Sequence, residues 1–260
     1  MGVQQAKHQV RDIAVRLYKD GSGEPVVFLH GAAGVPPWSP FFEKLAARHA
    51  LMLPEHPGFG ASDTPDWLDH VGDLAYFYLD TIAALGLDGI HLVGHSLGGW
   101  IAAEIAVRDC HALRSLTLSA PAGIHVKGLR KADTFMWSPE QVTRNLVHDP
   151  ALAEQMLAQP VTDEQQFARM KNRLTVAKLA WQPRFYNPHL SKWLHRIGVP
   201  TLILWGDDDR IIPPGYGPAF RDLIPGSRLE TIADCSHLPQ IERTDEWVGR
   251  IVRFIEGAAS

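Results

Sequence analysis

Five short apolar runs, at residues 26–29, 51–53, 90–93, 116–118 and 201–205, each stop at Gly, Pro or Asp punctuation, with stretches of helical spacing between them. Runs this short and apolar throughout, rather than alternating, suit strands buried on both faces, as in a parallel sheet covered by helices. Helical spacing at residues 41–48, 74–85, 97–107 and 247–255 supplies the covering layers. The order predicts an α/β fold with a doubly wound, mostly parallel sheet. Ahead of these runs, residues 10–17 alternate in strand fashion and the turn Asp20-Gly21-Ser22-Gly23 leads into Val26. That pattern predicts an antiparallel hairpin at one edge of the sheet.

One segment breaks the alternation. From about Gly123 to Gly198 there is no convincing strand but there are several helix starts. Ser138-Pro139-Glu140-Gln141 and Thr162-Asp163-Glu164-Gln165 read as capping boxes, and Asp149-Pro150 as an N-cap with proline at the first helical position. The expected organisation is a core of residues 1–122 and 199–260 with a helical insertion over residues 123–198. Its longest helix is expected over about residues 163–181, with Phe167, Met170, Leu174, Ala177 and Trp181 forming a stripe that faces the core.

A chain of 260 residues with 45% hydrophobic content suffices for one large core. A formal charge of -4 without long charge runs gives no electrostatic footprint for nucleic acid or an anionic membrane, so the expected partner is a small molecule. With no apolar stretch near bilayer length and a polar start, MGVQQAKHQVRD, the expected location is the cytoplasm. Two cysteines, Cys110 and Cys235, support neither a disulfide framework nor a cysteine-ligated zinc. The pattern leaves the oligomeric state open.

The stretch Gly94-His95-Ser96-Leu97-Gly98 falls where the run 90–93 ends and the next helix begins. A serine on a sharp strand-to-helix turn is held at strained backbone angles, and glycines two before and two after let strand and helix cross closely. The hydroxyl is lifted clear of the sheet edge. Behind it, the helix N-terminus leaves the Leu97 N–H free to meet developing negative charge. A serine nucleophile needs a base, and the base needs an acid behind it. Both are sought after the serine. The run 201–205 leads into Gly206-Asp207-Asp208-Asp209, and residues 228–232 lead into Ala233-Asp234-Cys235-Ser236-His237. The three adjacent aspartates are equivalent by chemistry alone.

Together with His30-Gly31-Ala32 and Pro54-Glu55-His56-Pro57-Gly58-Phe59-Gly60-Ala61-Ser62, these motifs resemble the α/β-hydrolase fold family over nearly the whole chain. The resemblance implies Ser96 as nucleophile, His237 as general base and then acid, and Asp209, the fourth residue of G-x-x-D-x-x-x-P, as the acid. It implies an oxyanion hole from the backbone N–H groups of Leu97 and Ala32, with Ala33 as the other choice for the second donor, and structural roles for His30 and His95. The insertion becomes a cap. Trp38, Phe135, Met136, Trp137 and Leu238 are candidates for an apolar substrate pocket.

The expected reaction is hydrolysis of a carboxylic ester through an acyl-enzyme, with no cofactor and no metal. Carbon-carbon bond hydrolases of ring-cleavage diketones share the fold, but often carry Asn before the serine and Trp after the histidine, where this chain has His95 and Leu238. Dehalogenases and epoxide hydrolases of this fold use an aspartate nucleophile, against which Ser96 argues. A non-catalytic receptor on the same scaffold could relax its triad, whereas here each position is filled.

Overall fold

A computed structural model describes residues 2–258. Eight strands, β1 (Gln4–Val10), β2 (Ile13–Asp20), β3 (Pro25–Leu29), β4 (Ala50–Pro54), β5 (Ile90–His95), β6 (Leu113–Ser119), β7 (Thr201–Gly206) and β8 (Arg228–Ile232), form one sheet in the order β1-β2-β4-β3-β5-β6-β7-β8. β2 runs antiparallel to β1 and β4, and the remaining pairs are parallel. The helices are α1 (Pro40–Ala46), α2 (Val71–Ala84), α3 (Leu97–Arg108), α4 (Pro139–Leu146), α5 (Pro150–Ala158), α6 (Asp163–Ala180), α7 (Leu190–Trp193), α8 (Tyr216–Leu223), α9 (Pro239–Glu242) and α10 (Thr244–Ala258).

Strands β3 and β7 are apolar on both faces because each face meets a helical layer. Val26 and Phe28 of β3 and Leu202 and Leu204 of β7 pack with Phe41 and Phe42 of α1 and Trp247 and Ile251 of α10. The alternate residues, Val27, Leu29, Ile203 and Trp205, pack with Leu74 of α2, Ile101 of α3 and Phe220 of α8. Period two is thus present in the packing but hidden in the sequence, since both sets are apolar.

The edge differs from its sequence reading. The hairpin joins β1 to β2 across Arg11 and Asp12, where Val10 faces Ile13, and Asp20–Gly23 carries the chain to β3, which β4 separates from β2. Residues 10–17 therefore contain the end of one strand and most of the next. β1 escaped notice because its residues Gln4–Gln9 are mostly exposed and polar. α2 starts before its apolar spacing does: the His70 Nδ1 accepts the Asp73 N–H while the Asp73 carboxylate accepts the His70 N–H.

Between β6 and β7 the chain contributes α4 to α7. Both expected capping boxes and the Asp149 cap are formed, with Ser138 and Thr162 accepting the N–H groups of Gln141 and Gln165. The two crossings of this segment are tied together: Asn187 N–H donates to Gly123 O at 2.9 Å, and Lys131 Nζ donates to Ile124 O and Phe185 O at 2.9 and 2.6 Å. Burial pushes the Lys131 pKa down to about 8.

The α6 stripe is a correction. Phe167, Met170 and Leu174 face solvent and Trp181 is half-exposed beside Phe135 and Arg184, while the side turned inward carries Asn172, Thr175, Val176, Leu179 and Ala180. The reason is polar. Thr175 Oγ1 donates to Gly58 O at 2.6 Å, Lys171 Nζ to Gly60 O and Ser62 O at 3.0 and 2.6 Å, and Asn172 binds two loops at once. Those bonds orient the helix with its apolar stripe outward.

Candidate active site

Strand β5 and helix α3 meet at Ser96, whose φ of 53° and ψ of -114° place it outside the regions open to most residues. The crossing is close enough that a side chain on Gly94 would lie 2.3 Å from Gly98 O. Ser96 O accepts the N–H groups of Trp100 and Ala122, and Ser96 N–H donates to Ser119 O, so the turn is fixed on both sides. The strain is local and held by its surroundings.

Ser96 Oγ lies 2.9 Å from His237 Nε2, and His237 Nδ1 lies 2.8 Å from Asp209 Oδ2. A carboxylate only accepts, so Nδ1 carries the proton and Nε2 is left to accept from the serine hydroxyl. Asp209 and His237 are each 3% exposed. The other carboxylate oxygen, Asp209 Oδ1, accepts the N–H groups of Ile211 and Ile212 at 2.9 and 2.8 Å. The three aspartates separate by geometry: Asp207 accepts the Cys235 N–H, and Asp208 pairs with His148 and Arg210. Only the third of the three carboxylates reaches the imidazole.

The loop after β3 lies against this group, for a side chain on Gly31 would stand 3.4 Å from the Ser96 Cβ. Among the described residues, neither the Ala32 N–H nor the Leu97 N–H donates to a protein acceptor. A cluster of neutral histidines supports the loop. His30 Nδ1 donates to Gly31 O at 2.8 Å while its Nε2 accepts the His56 N–H; His56 Nε2 donates to His30 O at 2.9 Å and its Nδ1 accepts from the Tyr78 hydroxyl. Their rings stack at 3.6 Å. Burial lowers the His30 pKa to about 4 and pushes His56 well below the usual imidazole value. Burial, with His237 next, does the same to His95, whose ring lies 5.1 Å from that of His237.

These depressed values make the fold acid-sensitive. In the unfolded chain His30 binds a proton below about pH 6.5, but in the folded chain only below about 4, so stability falls as pH drops through that window. His30 alone contributes a loss of about 2 kcal/mol between pH 7 and 5. The melting temperature is expected to drop by at least about 4 °C over that interval. A melting temperature that stays level or rises in calorimetry from pH 7 to 5 would refute this.

Of the candidate pocket residues, Met136 points into solvent at 73% exposed and lines nothing, which corrects its assignment. Trp38 stacks on Phe42 at 5.0 Å and belongs to the α1 packing. Phe135 stacks on Phe185 at 4.7 Å with Trp181 beside it. Trp137 is half-buried against the main hydrophobic core, and Leu238 is half-buried at the start of α9. No group of three or more His, Cys, Asp or Glu side chains among the described residues is placed to hold a metal ion. No helix among them is long and apolar enough to cross a membrane.

Asn172 is a residue that the sequence pattern did not single out. Its Nδ2 donates to Ala33 O at 2.8 Å and its Oδ1 accepts the Gly60 N–H at 2.9 Å, so one buried amide from α6 holds the loop beside Ser96 and the loop after β4. Its role depends on loops more than a hundred residues away in sequence, so the local pattern around Asn172 carried no signal for it.

A family model for the alpha/beta hydrolase fold matches residues 24–244. The chain is 26% identical to 2-hydroxy-6-oxo-6-phenylhexa-2,4-dienoate hydrolase of Comamonas testosteroni, over 96% of this chain and 94% of that protein. It is 27% identical to Lipase 1 of Psychrobacter immobilis, over 86% and 74% of the two chains. Among solved structures, the meta-cleavage product hydrolase from Pseudomonas fluorescens IP01 superposes with a TM-score of 0.82 at 19% identity, covering 98% of both chains, a likeness of fold.

Proposed function

The chain belongs to the α/β-hydrolase fold family and is a hydrolase, and from that premise we propose that it cleaves a carboxylic ester of a small, apolar substrate through an acyl-enzyme on Ser96. The observation that carries the reading is the connected line from Ser96 Oγ through His237 to the buried Asp209 carboxylate, at 2.9 and 2.8 Å. In this reading His237 takes the serine proton as the hydroxyl attacks the carbonyl, and Asp209 stabilises the imidazolium and holds its tautomer. His237 then returns the proton to the leaving alcohol, and later activates the water that frees the acid. The Ala32 and Leu97 N–H groups receive the charge on the former carbonyl oxygen, where each such donor is worth about 3 kcal/mol. The helices over residues 123–198 act as the cap above the site, with Trp137 and Leu238 as the remaining candidates for its apolar wall.

A second reading, cleavage of a carbon-carbon bond in a dienoate, is favoured by the Comamonas testosteroni relative. It asks more of the site, since the departing carbon must be protonated and the substrate carboxylate must meet positive charge. His30, His56 and His95, held neutral by burial, supply none. The experiment is hydrolysis of nitrophenyl esters from acetyl to long acyl chains, beside a ring-cleavage dienoate, on wild type and Ser96→Ala. An activity maximum at one chain length, abolished by the substitution, is the expected result. Turnover of the dienoate alone would establish the second reading.

Asn172 acts as a positioning residue in this scheme. Asn172→Leu is expected to lower kcat by about 10- to 100-fold with KM changed about twofold at most, because the loop carrying Ala32 loses its anchor. Stability should fall by about 1–3 kcal/mol, as Ala33 O and Gly60 N–H lose their partner. Wild-type kcat in this variant would show that the loop needs no anchor from α6.

A further inference from the structure

The outward stripe of α6 has a spacing that a free surface does not require. Phe167, Met170, Leu174, Ala177 and Trp181 follow one another at intervals of three, four, three and four residues. This is the seam of two helices wound on each other, narrower than the face that a helix lays on a globular core. The core-facing side of α6 is the other one, occupied by Asn172, Thr175 and Leu179. Phe167, Met170, Leu174 and Trp181 are 64, 58, 67 and 50% exposed. They leave on the order of 500 Å² of apolar surface in water, near the upper limit for a monomer's largest patch and more than half of one side of a standard dimer interface.

We propose that this stripe is a self-association surface, on which a second copy of the chain docks its own α6 antiparallel about a two-fold axis. The charges along the helix select the partner and its direction. Its first turn is acidic, with Asp163 and Glu164, and the exposed surface beyond it carries Arg169, Arg173 and Lys178. Parallel pairing sets like charges together. Antiparallel pairing, in the register that places Met170 against the partner's Leu174 and Phe167 against the partner's Ala177, brings the acidic turn within about one helical turn of the partner's Lys178, which also meets Asp69 of its own chain at 3.2 Å across an exposed ion pair. The same contact repeats on the other side of the axis, so the interface closes at two chains. It forms independently of the reaction at Ser96.

Sedimentation equilibrium on the full chain at micromolar concentration, with phosphatidylcholine/phosphatidylglycerol vesicle flotation in parallel, tests this. The wild type is expected at twice the 28.8 kDa chain mass. Leu174→Glu, at an exposed position, should keep the wild-type circular dichroism and melting profile of the monomer while raising the dimer dissociation constant at least tenfold. Glu164→Lys should also weaken the dimer, and Glu164→Lys with Lys178→Glu should restore it. A wild type at the single-chain mass overturns the proposal, as does a dimer that survives Leu174→Glu. Failure of the charge reversal to restore association overturns the antiparallel register. Flotation of a monomeric wild type, lost in Leu174→Glu, would show the stripe to be a lipid-docking face instead.

Discussion

Ser96→Ala is expected to lower kcat toward a good ester by about ten-thousand- to million-fold while moving the melting temperature by no more than about 2 °C. The size follows from the proposed mechanism: with the hydroxyl gone, His237 has no proton to remove from a nucleophile fixed 2.9 Å away, and only a loosely held water is left to attack. In the proposed mechanism, what survives is the part supplied by the Ala32 and Leu97 N–H groups, whose assigned role is to meet the oxyanion whatever attacks. Stability should hardly change because the strain at Ser96 is in its backbone, with φ at 53°, and alanine inherits the same angles. The bonds that fix the turn, from Ser96 N–H to Ser119 O and to Ser96 O from Trp100 and Ala122, are backbone bonds that the substitution leaves in place. Burst and steady-state kinetics with a nitrophenyl ester decide the matter. Turnover above about 1% of wild type would mean that another group attacks the carbonyl.

The parts of the fold that were legible are those whose physics is local. Residues 90–93 and 201–205 are mostly apolar because they are covered on two faces, and Ser138, Asp149 and Thr162 precede helices because their side-chain oxygens replace a missing acceptor. What escaped depends on distant partners. Periodicity established a stripe on α6 but not its direction, which is set by Lys171, Asn172 and Thr175 bonding to loops more than a hundred residues away in sequence. β1 carried no apolar alternation because it is an exposed edge. At the candidate site, Ser96 and His237 could be placed from order along the chain. The aspartate run could not be resolved from chemistry, since Asp207, Asp208 and Asp209 differ only in which groups the folded loop brings to them. The pairing of His56 with Tyr78 and the hold of Asn172 on Ala33 left no local trace.

Gly98→Ala is expected to cost more than about 4 kcal/mol and to leave little folded protein, a large effect for the addition of one methyl group. Gly98 is the second residue of α3, where alanine is ordinarily the better helix former by about 1 kcal/mol. Sterics reverse that preference. A Cβ at Gly98 would lie 2.0 Å from Leu29 O, 2.4 Å from the Leu29 carbonyl carbon and 2.6 Å from His30 O. All three are backbone atoms, and no side-chain rotation can clear them. Leu29 cannot retreat, because β3 is paired with β5 in the middle of the sheet, with Leu29 opposite Gly94. Nor can α3 lift away without unpacking Ile101, Ala102 and Ile105, which are fully buried. Any accommodation must separate the loop after β3 from the turn at Ser96, so folded protein that survives should also lose activity. Gly257→Ala in α10, where a Cβ meets nothing within 4 Å, is the control and should change stability by no more than about 1 kcal/mol. Thermal melts of the two variants settle the cause. A Gly98→Ala protein that melts within about 5 °C of wild type would mean that strand and helix do not need this close crossing to hold the serine in place.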